Sequence, residues 1–435
     1  MLTSVPSFQN FSDGASYTTS LFSGKTKYTP TDFEAITWEQ KPIAGPEFFD
    51  RSLISRRIAL LGIVVTVVFG AACIAGGAQI FLSKKAISSG VIVLSFKHQW
   101  QREGISLSLN LLVALCTEAT GFVHNITLRA ALASERRLKF NTNLRLISAA
   151  SGFFNPNGTI CNIVMAILLI ISYSSSILAT LAVNMESPDD GSGNPAPSDL
   201  EICVSDVPLI VLGTSLLLQA IIAVMGMWSA DVLTWSSSPF DITAALVHHA
   251  QVEHVPMRCM CGVDAQEQDG PAPAPARRKQ PSAWTARPSV RKVVVMLWVL
   301  VVTCLGWGLV VVHLTGGDMS RAISSWSFFP GSQSYVKAYN IPLYTGFAWF
   351  YWVLYYLNTA LVQGPLTLAL HCSELVSNVI RDENVWRRAT GKSGARLSTN
   401  PLVVVLGSPL NVALLCAKPL LRECFKHASI LVTRC

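Results

Sequence analysis

Charged side chains are scarce in this sequence. They account for 14% of its 435 residues, whereas hydrophobic residues account for 51%. Soluble domains usually carry about 25% charged residues, so the composition excludes an ordinary soluble protein. It is typical of a chain whose helices lie in a lipid bilayer, and the bilayer is therefore its first expected partner.

The motifs of the common enzyme classes are missing as well. The sequence has no Walker lysine loop, nucleophile elbow, HExxH zinc motif or Rossmann glycine set, and no arginine-rich span of the voltage-sensor type. We therefore expect a protein with no catalytic activity of its own and no cofactor. We also expect no nucleic-acid partner.

Cysteine is present, but its placement argues against a disulfide framework. The 11 cysteines are scattered, and most fall in apolar runs or in segments that the charge pattern assigns to the cytosol, where reduced thiols are the default. The densest group of ligand-type side chains comprises His248, His249, His254, Cys259 and Cys261. Cys-x-Cys is not the usual zinc-finger spacing, so we predict no metal site. Acylation of Cys259 and Cys261 is the alternative to unmodified thiols.

Long apolar runs are what the sequence does contain. A helix needs about 20 apolar residues to cross a hydrocarbon core of about 30 Å. Six runs meet this requirement, the second with more polar residues than the others: Ile58–Leu82, Ile105–Thr127, Ile160–Val183, Val207–Trp228, Val293–Leu314 and Ile341–Gln363. We predict an all-α, polytopic membrane helix bundle of about six transmembrane helices.

The distribution of Lys and Arg predicts how the chain is threaded. Residues 184–206 contain neither and are strongly acidic, whereas residues 129–159 and 229–292 carry basic clusters. Basic loops face the cytosol, so six spans place both termini in the cytosol. The sequon at Asn157 would then stay unglycosylated. The residues do not distinguish the plasma membrane from an endomembrane.

This threading divides the chain into five regions. Residues 1–57 are a disordered cytosolic arm, and 58–228 are a membrane region of four spans. Residues 229–292 are a cytosolic loop with a basic linker rich in Pro and Ala, 293–370 are a membrane region of two spans, and 371–435 are a cytosolic tail. We expect cytosolic protein partners to bind the arm and the loop. The sequence favours no oligomeric state.

Two further apolar segments do not fit the six-span scheme. Ile87–Phe96 is too short to cross the bilayer, and we expect it to lie in the interface or to dip back. The segment 401–421, "PLVVVLGSPLNVALLCAKPLL", is interrupted by Pro409 and carries Lys418. For it we favour an interfacial or re-entrant segment over a seventh span.

The even-numbered spans share a local pattern. The fourth and sixth open on "SDVPLIVLG" and "YNIPLYTGF", and the even spans are followed by "NITLRAALASERRL", "DITAALVHHAQVEH" and "PLTLALHCSELVSN". Apolar residues at helical spacing continue through each of these segments. We therefore predict three helical hairpins whose second members extend into the cytosol. Internal repetition and convergent capping both remain open as the cause.

Three segments carry a resemblance to other proteins. "HNITLRAALASERRLKFNTNLRLISAA", "NPNGTICNIVMAILLIISYSSS" and "GSPLNVALLCAKPL" resemble parts of uncharacterised multi-spanning membrane proteins of filamentous fungi. The resemblance implies a fungal, lineage-specific membrane protein. It brings no activity, substrate or site.

Glu118 is the most unusual residue of the apolar runs, because it is the only charged residue well inside any of them. A carboxylate at this depth costs about 2.5–3.5 kcal/mol. Helical spacing places it on one polar stripe with Asn110, Thr117 and Asn125, whereas His124 lies about 120° away around the helix. Glu118 is therefore either a proton or cation site, or a structural hydrogen-bonding residue.

Two functions remain open for such a chain. The first is a structural or scaffolding membrane protein, and we favour it because the polar partners expected for Glu118 in the other spans are uncharged. The second is a secondary transporter or channel that uses Glu118. The Gly364–Pro365 break lies at the end of the sixth run, which argues against the discontinuous helices of many transporters. Small residues at Gly62, Thr66 and Gly70, then Ala72 and Gly76, favour close helix packing in either case.

Overall fold

The computed structural model describes most of the apolar part of the chain, and the fold is given for that part alone. It covers residues 53–83, 91–96, 99–135, 137–138, 148–183, 200–236, 241–242, 245–246, 282–286, 288–314, 349–389 and 406–428. The N-terminal arm up to residue 52 lies outside the described residues. So do Cys259, Cys261 and the neighbouring histidines.

The described residues form eight helices, of which six are long and apolar enough to cross a membrane. Their bounds are α1 Leu53–Leu82, α2 Gln99–Ser134, α3 Thr159–Ala179, α4 Asp206–Ser229, α5 Ala283–Ala286, α6 Pro288–Leu314, α7 Trp349–Ala389 and α8 Pro409–Ala428. The six candidate spans are α1 to α4, α6 and α7. The predicted fold class is confirmed: the chain is a multi-pass bundle of membrane-type helices.

Among the first four spans, α4 is the central helix, because it contacts α1, α2 and α3. Leu212 and Leu216 of α4 are fully buried there, with Val113 of α2 and Tyr173 of α3. The fifth span, α6, packs mainly on α7, and α7 in turn packs on α3. The contact between α3 and α7 therefore connects the two membrane regions.

Glycine lets α1 approach its neighbours closely. A Cβ atom on Gly213 of α4 would collide with the carbonyl oxygen of Gly70, and one on Gly62 would lie 2.6 Å from Cβ of Ala119 on α2. The small residues of α1 thus pack within the bundle. Near the C-terminal end of α1, Gly77 packs closely on α4, because a Cβ atom added there would collide with Ile210. Gly76 faces open space.

A small antiparallel sheet joins two of the loops. Its strands are β1 Val91–Phe96, β2 Thr180–Val183 and β3 Leu200–Ser205, in the order β1-β3-β2. Val91 pairs with Ser205, and Thr180 pairs with Val204. Residues 91–96 form a strand, and the expectation that 87–96 lies in the interface or dips back stays a prediction. The β-branched residues of 91–96 form a strand because β3 supplies the backbone partners that lipid does not.

The sheet also shortens the third predicted span. That run was expected to continue to Val183, but α3 ends at Ala179 and the next four residues are β2. Because β1 follows α1 and β2 follows α3, the sheet places these two loops at the same end of the bundle. This agrees with a bundle in which odd-numbered spans run in one direction.

The helices α2 and α7 continue well past the length that a bilayer requires. They contain 36 and 41 residues, about 54 and 61 Å at 1.5 Å per residue. The boundary predicted at residue 370 therefore falls inside α7. His371 and Glu374, assigned from sequence to a cytosolic tail, belong to the same helix as the sixth span.

The ambiguous C-terminal segment forms α8, which packs against both α2 and α7. Ser377 of α7 donates a hydrogen bond to Oδ1 of Asn411 over 2.8 Å, and the side chain of Lys418 is only 6% exposed. The helix thus packs into the bundle. These contacts do not fix its depth in the bilayer, so the expectation of an interfacial or re-entrant segment rather than a seventh span stays a prediction.

Candidate functional site

Glu118 lies near the middle of the candidate span Gly104–Ser134. Its side chain is 32% exposed and lines a cavity between α2, α3, α4, α7 and α8. The sequence left open whether this carboxylate faces a dry helix contact or a polar space. The structure places it at a cavity with both polar and apolar lining residues.

Lys418 of α8 provides the charge opposite Glu118. Its ammonium donates a hydrogen bond to Oε1 of Glu118 and another, over 3.0 Å, to Oε2 of Glu374 on α7. The expectation that Glu118 has only uncharged partners is therefore wrong. An ammonium can enter the bundle at this depth because two carboxylates replace its lost hydration.

His371 adds a fourth titratable group to this cluster. Its Nδ1 lies 3.6 Å from Oε2 of Glu374, one helical turn away on α7. With His371 neutral, the two carboxylates and one ammonium carry a net charge of −1. Protonation of the imidazole, or of one carboxylate, would make the cluster neutral. We call Glu118, Glu374, His371 and Lys418 the charged cluster.

The cavity beside the charged cluster has more apolar than polar lining surface, but it is large enough for water. The space in which a water molecule can be centred is about 60 Å³, several times the roughly 10–15 Å³ that a single water requires. Its polar lining residues come from five helices: Thr117, Glu118, His124, Asn162, Tyr173, Gln219, Thr367, His371 and Lys418. The site can therefore hold water or a small ion next to Glu118.

Hydrogen bonds between α2 and α3 fix the wall of this cavity. The hydroxyls of Thr117 and Tyr173 lie 2.6 Å apart, and Nε2 of His124 lies 2.7 Å from Oδ1 of Asn162. His124 thus lines the same cavity as Glu118, although helical geometry separates the two side chains. The aromatic hydroxyl and the imidazole are both groups that can exchange protons with bound water.

Two residues of the predicted polar stripe, Asn110 and Asn125, do not line the cavity. Ser176 of α3 donates a hydrogen bond to Oδ1 of Asn110 over 2.8 Å, and Asn110 is fully buried. Asn110 therefore joins α2 to α3 beyond the cavity. Asn125 is partly buried and is not a lining residue. Of the predicted stripe, Thr117 and Glu118 line the cavity.

Serine and amide groups bind α3 to its other neighbours. Ser172 and Ser215 of α4 are hydrogen-bonded at 2.8 Å, and Nε2 of Gln219 donates to Ser172 over 2.8 Å. Ser175 is hydrogen-bonded with the hydroxyl of Tyr356 on α7 at 3.1 Å. These contacts hold the helices around the cavity in place.

Sequence reasoning missed Lys418, Glu374 and His371 as members of the site. Lys418 and Glu118 are 300 positions apart, so no local periodicity could relate them. Lys418 could nevertheless have been singled out, because a basic residue inside an otherwise apolar segment usually has a partner within the protein.

Comparisons with known proteins add no relative from which a role could be transferred. No family model matches the sequence. No curated protein matches it, and no solved structure does either. The function is therefore argued from the geometry of the site.

Proposed function

We propose that this multi-pass membrane protein, with no catalytic activity of its own, is a secondary transporter or channel for protons or a small cation, with Glu118 as the binding site. The observation that carries the proposal is the cavity inside the bundle, which brings Glu118 together with Lys418 and Glu374. Ionisable residues among transmembrane helices usually mark ion pathways or proton relays.

The charge balance of the cluster favours a positively charged ligand. Two carboxylates face one ammonium, and the side chains of Glu118 and Glu374 are only 32% and 24% exposed. Excess charge in such a place is unfavourable unless it is paired or neutralised. A proton on Glu118, or a cation in the cavity, supplies the missing positive charge.

The position of Pro365 does not separate the two candidate functions. Gly364–Pro365 lies inside the candidate span Trp352–Val385, and not at a span end as the sequence had suggested. The helix α7 nevertheless runs without interruption from Trp349 to Ala389, so it is not one of the discontinuous helices that are common in secondary transporters.

The structural or scaffolding function stays the second candidate, and one observation favours it. Lys418 bonds to α2 through Glu118 and to α7 through Glu374, so the charged cluster also fastens three helices together. Partner binding through the N-terminal arm and the central loop remains a prediction. A cytosolic location of both termini remains one too.

Transport can be tested with the purified full-length protein in liposomes. We expect proton uptake under an imposed pH gradient and membrane potential, and a fall of about tenfold or more with Glu118→Gln, since the substitution removes the proton-binding group. Glu383→Gln is the matched control, because Glu383 is hydrogen-bonded to exposed Arg387 on α7, outside the cavity. Its uptake should equal that of the wild type.

The same experiment separates the two candidate functions. Reduced uptake at normal folded yield and normal thermal stability supports transport. Reduced folded yield, with the uptake per folded molecule unchanged, supports the structural function. Wild-type liposomes that pass protons, Na⁺ and K⁺ no faster than empty liposomes would contradict transport.

A further inference from the structure

The contact between α3 and α7 contains buried polar groups that have no hydrogen-bond partner among the described residues. They are both amide atoms of Gln363, the hydroxyl of Thr367 and the hydroxyl of Ser174. All three residues are at most 1% exposed. Such groups are rare in native proteins because each costs about 1–3 kcal/mol, and an ordered water is a common explanation.

These groups lie along one side of the contact. Gln363 and Thr367 are one helical turn apart on α7, and Thr367 lines the Glu118 cavity. Ser174 is one turn after Ile170, whose Cδ1 lies 4.0 Å from the position of a Cβ atom added to Gly364. Gln363 and Ser174 do not line the cavity, but from Thr367 to Gln363 on α7 and from Ile170 to Ser174 on α3 the positions lead away from it, toward the end of α3 where the sheet begins.

The backbone of α7 also has a carbonyl without its helical donor near this level. Pro365 has no N–H, so the carbonyl of Leu361 loses the donor that a regular helix would provide four residues later. In membrane helices such carbonyls are commonly satisfied by neighbouring side chains or ordered waters. Leu361 is 67% exposed, so this carbonyl lies on the outward side of α7, about 160° around the helix from Gln363, and is not part of the buried contact.

The chemistry of these groups selects water over a metal cation. The Nε2 group of Gln363 is a donor and needs an acceptor, which a cation cannot supply. The amide oxygen of Gln363 needs a donor, and the two hydroxyls can donate or accept hydrogen bonds. Water provides both.

We propose that Ser174, Gln363 and Thr367 bind a chain of water molecules that extends from the cavity and conducts protons between Glu118 and the sheet end of the bundle. In each step one water accepts a proton and passes one of its own to the next, and the last proton binds the Glu118 carboxylate. Gln363 anchors the waters and is not itself protonated. The conducting role rests on the proposed transport function, whereas the bound water does not.

The first test uses Gln363→Leu and Thr367→Val in the full-length protein. If the contact is dry, replacing unpartnered polar groups by apolar ones of similar size raises the melting temperature. If water is bound, the melting temperature is unchanged or lower, and proton uptake falls about tenfold because the chain is broken. Thr303→Val on α6 is the control, since its hydroxyl bonds only the Val299 carbonyl, 2.9 Å away.

The second test detects the water directly, by hydroxyl-radical labelling of the protein in lipid nanodiscs with mass spectrometry. We expect labelling of Ile170 and of the cavity residue Met165, none of the fully buried Leu216, and loss of the Ile170 signal in Gln363→Leu. Absence of Ile170 labelling, with a raised melting temperature in Gln363→Leu, would overturn the proposal.

The outcomes also distinguish this proposal from the transport proposal. Labelled Ile170 with full uptake in Gln363→Leu, while Glu118→Gln stops uptake, would overturn the conducting role alone. If the wild type passes no protons, transport and conduction both fail, and the labelling still decides whether water is bound.

Discussion

The ammonium of Lys418 donates a hydrogen bond to the carboxylate of Glu118, 300 positions earlier in the chain. The contact places α8 inside the bundle and turns an isolated acid into part of a charged cluster. Because Glu374 also bonds to Lys418, the cluster has one more acid than base. The three charged residues should therefore respond differently to substitution.

Lys418→Met is expected to be far more destabilising than Glu118→Gln. Removing the ammonium leaves two carboxylates without compensation, and losing one partner of a buried ion pair costs about 3–5 kcal/mol. Glu118→Gln keeps the Lys418–Glu374 pair and an amide oxygen for Lys418, so its cost should be about 1 kcal/mol. Denaturant unfolding of the purified protein measures both.

Two further variants control for this prediction. Arg388→Met removes an exposed basic residue from α7 and should change the free energy of unfolding little. Combining Glu118→Gln with Lys418→Met should recover part of the stability lost in Lys418→Met. Equal losses in both single variants would contradict the charge balance assigned to the cluster.

The six spans were predictable because each carries its own signal. About 20 apolar residues in a row are sufficient to indicate a membrane helix. The helices α1 to α4 and α6 match such runs closely, whereas the sixth predicted run, Ile341–Gln363, overlaps only the first part of the candidate span Trp352–Val385. Glu118 was also detectable, since a charged residue in an apolar run is unusual wherever the chain folds. Close helix packing at Gly62 and Gly70 was predictable from the spacing of small residues alone.

The partners of these residues could not be predicted in the same way. Lys418 meets Glu118 only because α8 returns into the bundle, and the short apolar run around it is equally compatible with the interface. Residues 91–96 form a strand only because Leu200–Ser205, in a distant acidic loop, pairs with them. Pairing over such distances depends on tertiary contacts that local periodicity does not contain.

Gly213→Ala should weaken the packing of α1 on α4. The added methyl group would collide with the backbone carbonyl of Gly70, which cannot move without shifting the helix, and overpacking of this kind costs about 1–3 kcal/mol. We expect a lower melting temperature in detergent. Gly76→Ala and Gly306→Ala are matched controls because each faces open space. An equal fall in the controls would contradict the close contact.

Asn157 should be important for stability and inaccessible to glycosylation. Its side chain is fully buried, accepts a hydrogen bond from Thr127 over 2.9 Å and donates to Ser229 over 3.2 Å. Asn157→Ala leaves these groups unsatisfied and should cost about 1–3 kcal/mol, whereas exposed Asn384→Ala should not. Mass spectrometry should find Asn157 unmodified, and a glycan there would contradict both its burial and the predicted threading.

Pro365→Ala should raise stability and leave transport unchanged. The alanine N–H can bond to the carbonyl of Leu361, and a proline inside a helix costs about 3 kcal/mol, so the melting temperature should increase. Leu361 is 67% exposed, so this bond forms on the outward side of α7, away from Gln363, and proton uptake per folded molecule should equal that of the wild type. Leu357→Ala, which trims an exposed residue of α7, controls for changes to this helix that leave its backbone hydrogen bonds intact. A several-fold fall in uptake at raised stability would show that Pro365 takes part in conduction, whereas a fall in both would show that α7 needs the proline to pack.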